Sequence, residues 1–432
     1  MTKGIVHALA TAALATVAMV ALGNSAGFAQ DKVTLTYLAS QGWVYDAEQA
    51  LGKKFEEKTG IAIDYQIVPA DQYFNLLRTK LNSGEAPDIF GGQSGVTDLK
   101  LQYNVEKNAV DLSNEPWASK LDPLVAAQST VNGKLYGMTY WDTVGNSWVV
   151  NYNKKIFAEN GIAVPTDYAG LKSACVTLLA KGIQPMFEPI ADGWHHVLWF
   201  AELGPRYEEA TPGLAAQLNA NKATFAGNPT MLAAVTQLKD LYDSGCWGKN
   251  ALADTFADRT KVMASGQVAM VVAASGFGAE LKNDYPQTNL DDYGVFLMPL
   301  ADNQVLNLNP AGPTMFISSA SPHIAEAKQY LEFLTQPDNM KYFVDNVPNA
   351  TGLPFEGVAK KLPPAIQAFM ANPKRGTVYQ TAVNYVNPQW MDIGKDLTAM
   401  FTGAMTPEGV LTSIDKRRAE LAKAAKDPAW QQ

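Results

Sequence analysis

VTLTYLASQGWVYDAEQALGKKFEEKTGIAIDYQIVP, residues 33–69, holds two β-rich runs with an amphipathic run between them. Val33–Ala39 reads as a strand, and Ile61–Val68 reads as a second. Asp46–Thr59 reads as the intervening helix, with Gly60 where a helix commonly ends in the left-handed conformation. Outward from this unit, Pro69-Ala70-Asp71 starts another helix. Its Tyr73, Leu77 and Leu81 recur on one face, and Gly84 follows its end. Asp88-Ile89-Phe90 is a short strand running into Gly91-Gly92-Gln93-Ser94-Gly95. A β-α-β-α-β order predicts an α/β fold with a mostly parallel sheet covered by helices.

The pattern continues downstream. Leu135–Tyr140 and Trp148–Asn153 read as strands joined through Trp141–Asn146, and Tyr168–Lys181 reads as a helix stopped by Gly182. Val268–Ala273 is an apolar strand and Gly294–Met298 another. Ala327, Tyr330, Leu331 and Leu334 have helical spacing, and the C-terminus reads as two helices, Trp390–Phe401 and Glu408–Ala425. No internal repeat or low-complexity linker separates the two α/β blocks, so they are expected to be intimately connected.

The chain has 432 residues, 34 Lys plus Arg and 42 Asp plus Glu, for a formal net charge of −8. An acidic chain without a basic run argues against nucleic acid and anionic membranes as partners. At the N-terminus, Lys3 precedes an apolar run from Ala8 to Leu22, and Gly27-Phe28-Ala29 supplies a small-x-small site. That order predicts a signal peptide over residues 1–29 and an exported, periplasmic protein. No cysteine follows the run to carry a lipid anchor. Cys175 and Cys246 are the two cysteines. A disulfide between them and a pair of buried thiols are both compatible with the sequence.

Taken together and in order, several segments resemble the extracellular solute-binding proteins, family 1, of ABC importers, the group of maltose-binding protein. They are residues 33–69, APDIFGGQSG (86–95), NGKLYGMTY (132–140), WVVNYNKKIFAENGIAVPTDYAGLKSA (148–174), MASGQVAMVVAASGF (263–277), YGVFLMPL (293–300) and AKQYLEFLTQPDNMKYF (327–343). The resemblance implies a two-lobed periplasmic binding protein of type II, with a ligand cleft and a hinge of three chain crossings. The crossings are placed near Tyr140–Asp142, Asn309–Thr314 and Val347–Thr351. Lobe one is then 30–141 plus 312–346, and lobe two 142–311 plus 347–432. The implied function is capture of a solute for a membrane permease, by a monomer.

Ligands of open parallel sheets sit beyond the carboxyl ends of the strands. The loops so placed hold Gln41, Trp43, Gln93, Ser94, Tyr140, Trp141, Asp142, Asn146, Glu188, Asp192, Trp194, His195, Ser275, Phe277 and Asn309. Flat aromatic rings match the C–H faces of a sugar, and uncharged or acidic hydrogen-bonding groups match its hydroxyls. None of these loops carries Lys or Arg, which favours a neutral mono- or oligosaccharide over an anion. Trp148, Trp199, Trp247 and Trp390 lie within strand or helix patterns and read as core.

Neither a metal-ligand spacing nor a nucleotide-binding motif is present, so no cofactor is expected. Gly276-Phe277-Gly278 is half of a dinucleotide fingerprint, with Leu281 in the third glycine's place. The rival function is a periplasmic glycoside hydrolase, using Asp142 and Glu188 as a carboxylate pair.

Overall fold

The computed structural model describes residues 33–143, 147–359 and 362–431. The signal-peptide segment lies outside these residues, as does Asn146. The opening unit folds as β1 (Thr34–Ser40), α1 (Asp46–Thr59) and β2 (Ala62–Val68), followed by α2 (Ala70–Ser83), β3 (Ile89–Gln93) and α3 (Val96–Leu101). α1 and α2 stop where glycine follows them: Gly60 and Gly84 both adopt φ 78° and return a backbone N–H to the last turn. β1 pairs in parallel with β2 from Thr34↔Ala62 to Ser40↔Val68, and with β3 on its other side.

The first sheet is completed by β4 (Gly137–Thr139), and the chain then enters a second sheet. That sheet holds β5 (Trp148–Asn153), β6 (Gln184–Phe187), β7 (Val268–Ala274) and β8 (Tyr293–Phe296), after which β9 (Pro313–Ile317) rejoins the first. The strand orders are β2-β1-β3-β9-β4 and β8-β5-β7-β6. Both sheets are mostly parallel, as expected, and each contains one strand that runs against the rest. β9 runs antiparallel to β3 and β4, and β5 antiparallel to β7 and β8. The register gives the reason. Pro313, the first residue of β9, sits opposite Gln93, the last of β3. Trp148, the first of β5, sits opposite Ala274, the last of β7. A strand arriving from the other sheet enters at the carboxyl edge of its new neighbours and therefore runs against them.

Each sheet has its own core. Leu35, Phe55, Ile89, Trp117, Tyr330 and Leu331 anchor the first. Trp199, Phe200, Leu238, Trp247, Leu397 and Ile414 anchor the second. We call each sheet with its packed helices a lobe. Val347, Ala350, Leu353 and Phe355 pack in the first core, where the Asp122 N–H donates to Pro354 O. The chain is back in the second lobe by Arg375–Thr377, which pairs in parallel with Leu306–Leu308. Cys175 and Cys246, both fully buried, form a disulfide with Cα atoms 5.4 Å apart. It ties the helix Tyr168–Ala180 to the segment entering Trp247.

Candidate functional site

On the first lobe, the chain leaves β1 through Gly42, whose φ of 85° turns it toward Trp43. The Trp43 ring meets Tyr73 edge-on at 5.2 Å and Phe74 at 5.9 Å. It also lies over Gly91, where a Cβ would come within 3.1 Å of the indole. The Tyr73 hydroxyl donates to Gly91 O at 2.6 Å, so the glycine and the two rings form one unit. Two residues on, Tyr45 stacks against Trp141 of the first crossing, centroids 4.9 Å apart and planes 21° from parallel.

The first and second crossings lie against one another, and Thr351 of the first core lies against the first crossing. Gly312 N–H donates to Ser94 Oγ at 2.9 Å, and a Cβ on Gly312 would approach Thr143 to 2.9 Å and Trp141 to 3.2 Å. Asp142 Oδ2 accepts both the backbone N–H and the hydroxyl of Thr351, the latter at 2.7 Å. Gly276, just past β7, packs so tightly on the Asn349 carbonyl that a Cβ there would lie 2.2 Å from the oxygen. Asn309 is spent on structure, donating to Gln380 Oε1 at 2.8 Å and accepting from the Thr381 hydroxyl at 2.6 Å.

The second lobe presents an aromatic cluster at the carboxyl edge of its sheet. Trp194 lies 5.8 Å from Trp148 and 5.1 Å from Phe256, which in turn is 5.8 Å from Trp148. Asp192 accepts the Phe256 N–H, fixing that ring, and the Trp390 indole N–H donates to Trp194 O at 3.1 Å. The Arg259 guanidinium sits 4.0 Å over the Phe256 ring and is ion-paired with Glu280. Burial holds the Glu280 carboxyl above the usual range, while Arg259 pulls it back down. Tyr45 of the first lobe senses this pair. Its phenol is pushed up by burial first, then by the Glu280 and Asp142 charges, while Arg259 and a hydrogen bond from Asn349 oppose the shift. One tyrosine therefore joins the first lobe, the crossings and the second lobe in a single electrostatic neighbourhood.

Trp43 thus packs with first-lobe rings, Trp141 stacks on Tyr45, Asp142 is engaged by Thr351, and Trp194 belongs to the second-lobe cluster that Asp192 supports. Glu188 and His195 are fully buried beneath it. Glu188 bridges His195 Nδ1 at 2.6 Å and the Trp199 indole at 2.7 Å, and His195 Nε2 reaches Val272 O at 3.0 Å. These contacts brace β6 against β7. Phe277 belongs to a small core with Phe187 and Met263, and the Tyr140 hydroxyl donates to Leu334 O. Ser94 is buried on Gly312 and Ser275 is buried with its N–H on Ser147 O. Gln41 is exposed and Gln93 half-buried. Trp199 and Trp247 are core, whereas Trp148 and Trp390 are half-buried at the cluster's edge.

Sequence reasoning missed Phe256, Arg259 and Glu280, because all three lie within helices rather than in the loops that follow strands. Tyr45 lies in the loop that follows β1, and its ring is as flat as that of Trp43. Among the described residues, no group of three or more His, Cys, Asp and Glu side chains could hold a metal ion.

Two cores joined by repeated chain crossings agree with the relationships the chain shows. Residues 50–373 match the profile of the family described as bacterial extracellular solute-binding protein. The chain belongs to that family. A Sinorhizobium fredii protein named "probable amino-acid ABC transporter periplasmic-binding protein" is 25% identical, over 76% of this chain and 77% of its own. A melibiose/raffinose/stachyose-binding protein of Bacillus subtilis is 22% identical, over 77% of this chain and 75% of its own. Among solved structures, a sugar transporter of Bacillus licheniformis in complex with stachyose superposes with a TM-score of 0.72. It is 19% identical and covers 90% of this chain and 100% of its own. The extracellular solute-binding proteins act in transport, outside the cytoplasm. Among the described residues, no helix is long and apolar enough to cross a membrane.

Proposed function

We propose that this solute-binding protein captures a neutral saccharide between its lobes and delivers it to the membrane permease of an ABC importer. One observation carries the reading. Each lobe presents a group of half-buried aromatic rings, Trp43, Tyr45 and the adjoining Trp141 on the first and Trp148, Trp194 and Phe256 on the second. The cation among them, Arg259, is already neutralised by Glu280. Such walls suit the apolar faces of pyranose rings. The names of the Bacillus subtilis relative and of the Bacillus licheniformis structure support the same class.

Closure on the ligand is a hinge motion at the crossings. We place the third crossing after Val358 rather than at Val347, because 347–355 packs in the first core. Export through a cleaved signal peptide to the periplasm, and a monomeric state, complete the proposal. Binding without turnover fits the carboxylates better than hydrolysis does: Glu188 has no exposed surface and both its oxygens are engaged, so it cannot meet a sugar.

A second reading, an amino-acid ligand, is favoured by Arg259 and by the name of the Sinorhizobium relative. A thermal-shift screen of the exported form against raffinose, stachyose, monosaccharides and the amino acids separates the two. A ligand at 100 times its dissociation constant stabilises by about 2.7 kcal/mol. A shift with a neutral sugar, lost in Trp141→Ala, supports the proposal. A shift confined to amino acids and abolished by Arg259→Gln replaces it with the second reading.

A further inference from the structure

Away from the aromatic walls, α3 of the first lobe makes a second connection to the other lobe. Leu99 at its centre is fully buried in a first-lobe core with Tyr73, Phe90 and Phe316. Its opposite side faces residues 384–388, which are anchored in the second core through Val383 and Val386. Three side chains of the α3 region reach across. The Thr97 hydroxyl donates to Asn384 Oδ1 at 3.3 Å, Gln102 Nε2 donates to Pro388 O at 3.2 Å, and Asp98 accepts from the Asn387 amide. Leu101 adds apolar contact with the cluster of Tyr385, Ala422 and Trp430. Behind Asn387 the hydrogen bonds continue, from Gln380 Nε2 to Asn387 Oδ1 at 2.7 Å and from Asn309 to Gln380 Oε1 at 2.8 Å. Asn309 sits in the second crossing, so the chain of side chains runs from α3 through the second lobe to that crossing.

Asp98 is the unusual member. It is 3% exposed and bonded to neutral groups. The two arginines on the facing helix Pro407–Ala424 are engaged elsewhere, and its Lys416 is exposed. Arg417 bonds Gln389, Ser413 and Asp396. Arg418 bonds Asn384 O and Leu218 O and lies beside Asp415. Lys423 of that helix and Lys100 of α3 itself are exposed. On the next turn of the first lobe, Glu106 accepts from Asn132, Lys107 is exposed, and the Tyr103 phenol is the titratable group that feels Asp98. Among the described residues, no cation compensates the Asp98 carboxylate.

We propose that α3 is a latch between the lobes, with Asp98 as a positioning residue that holds it best when its carboxyl is protonated. The proposal rests on the hinge closure described above but not on the identity of the solute. Burial pushes the Asp98 carboxyl up to about 7 in this arrangement. When the lobes part, Asp98 loses Asn387 and meets water, and its proton affinity falls toward that of an ordinary carboxyl. The latched form therefore takes up a proton that the open form gives up. Its population rises as the pH falls below 7, by up to about tenfold per pH unit until the ordinary carboxylate range is reached. Above pH 7 both forms are ionised there and the dependence ends.

Small-angle X-ray scattering of the ligand-free, exported form at pH 5.5 and pH 8.5 reads the lobe separation directly. The expected result is a smaller radius of gyration at pH 5.5 for the natural sequence. Asp98→Asn, a neutral isostere that still accepts from Asn387, should be compact at both pH values, and Asn387→Ala expanded at both. Circular dichroism checks that each variant is folded. A pH response of natural size in Asp98→Asn, or none in the natural sequence, overturns the latch. Raffinose titrations run alongside keep the two ideas apart. Failure to bind raffinose with the latch behaviour intact counts against the saccharide, and binding with no Asp98 effect counts against the latch.

Discussion

At the scale of single residues, the site is built from groups whose polar atoms are mostly engaged. Glu188 illustrates how a sequence reading goes astray: a carboxylate at a strand end looks like a ligand group until burial and two partners show it to be a brace. Glu202 is a second buried carboxylate, 2% exposed, with the Asn307 amide on one oxygen and no partner on the other. Burial pushes it up to about 8, and Glu48 in the first core likewise. A carboxyl whose proton affinity is raised by folding makes the folded state take up a proton. Its favourable contribution is complete below the ordinary carboxylate value of the unfolded chain. It is lost as the pH rises through about 8. The melting temperature should therefore fall between pH 5 and pH 8. Glu202→Gln, which keeps an acceptor for Asn307, should remove part of that slope and raise the melting temperature at pH 8 by a few degrees. Calorimetry at the two pH values checks this, and an unaltered slope would show that Glu202 stays ionised in the folded protein.

At the scale of elements, local signals worked where a segment's own chemistry dictated its conformation. Both glycine-closed helices of the opening unit run as the periodicity and the terminal glycines require, because a left-handed C-terminal residue is a local demand. The single reversed strand of each sheet has no local signal, because its direction depends on where the chain re-enters a sheet, and β9 arrives from the other lobe. The disulfide lies between these cases, since two cysteines separated by 71 positions in sequence announce no geometry of their own. By loop-closure entropy, cross-linking a segment of that length stabilises by about 4 kcal/mol. Reduction, or Cys175→Ala with Cys246→Ala, should lower the melting temperature by several degrees, with the effect confined to the second lobe in hydrogen exchange. Equal loss of protection in both lobes would show that they unfold as one cooperative unit.

At the scale of the whole molecule, the decisive features are approaches between distant segments. Gly276 touches the Asn349 carbonyl across 73 positions of sequence, with no room for a methyl group. Gly276→Ala has an ordinary helical φ to adopt, so its cost is purely that of forcing the two segments apart. We expect a folded protein with a larger radius of gyration and roughly tenfold or weaker solute affinity. Scattering together with titration measures both. Natural compactness would mean that the Asn349 backbone yields instead. The aromatic walls belong to this scale too. Trp43, Trp141 and Trp194 were legible as candidates because each lies in a segment that follows a strand. Phe256, Arg259 and Glu280 were not, since only packing beside Trp148 and Trp194 brings them to the site.

The amino-acid sequence alone determined the α/β alternation, the positions of the main helices and strands, and the family, because periodicity, capping and motif order are properties of short segments. It also placed the aromatic loops at strand ends, where such sheets expose their binding surfaces. The tertiary structure decided the one reversed strand of each sheet, the pairing of Cys175 with Cys246, the withdrawal of Glu188 and His195 into the core, and the meeting of Tyr45 with Arg259 and Glu280. Each of these depends on which remote surfaces press together and exclude water, and that is set by the packing of the whole chain.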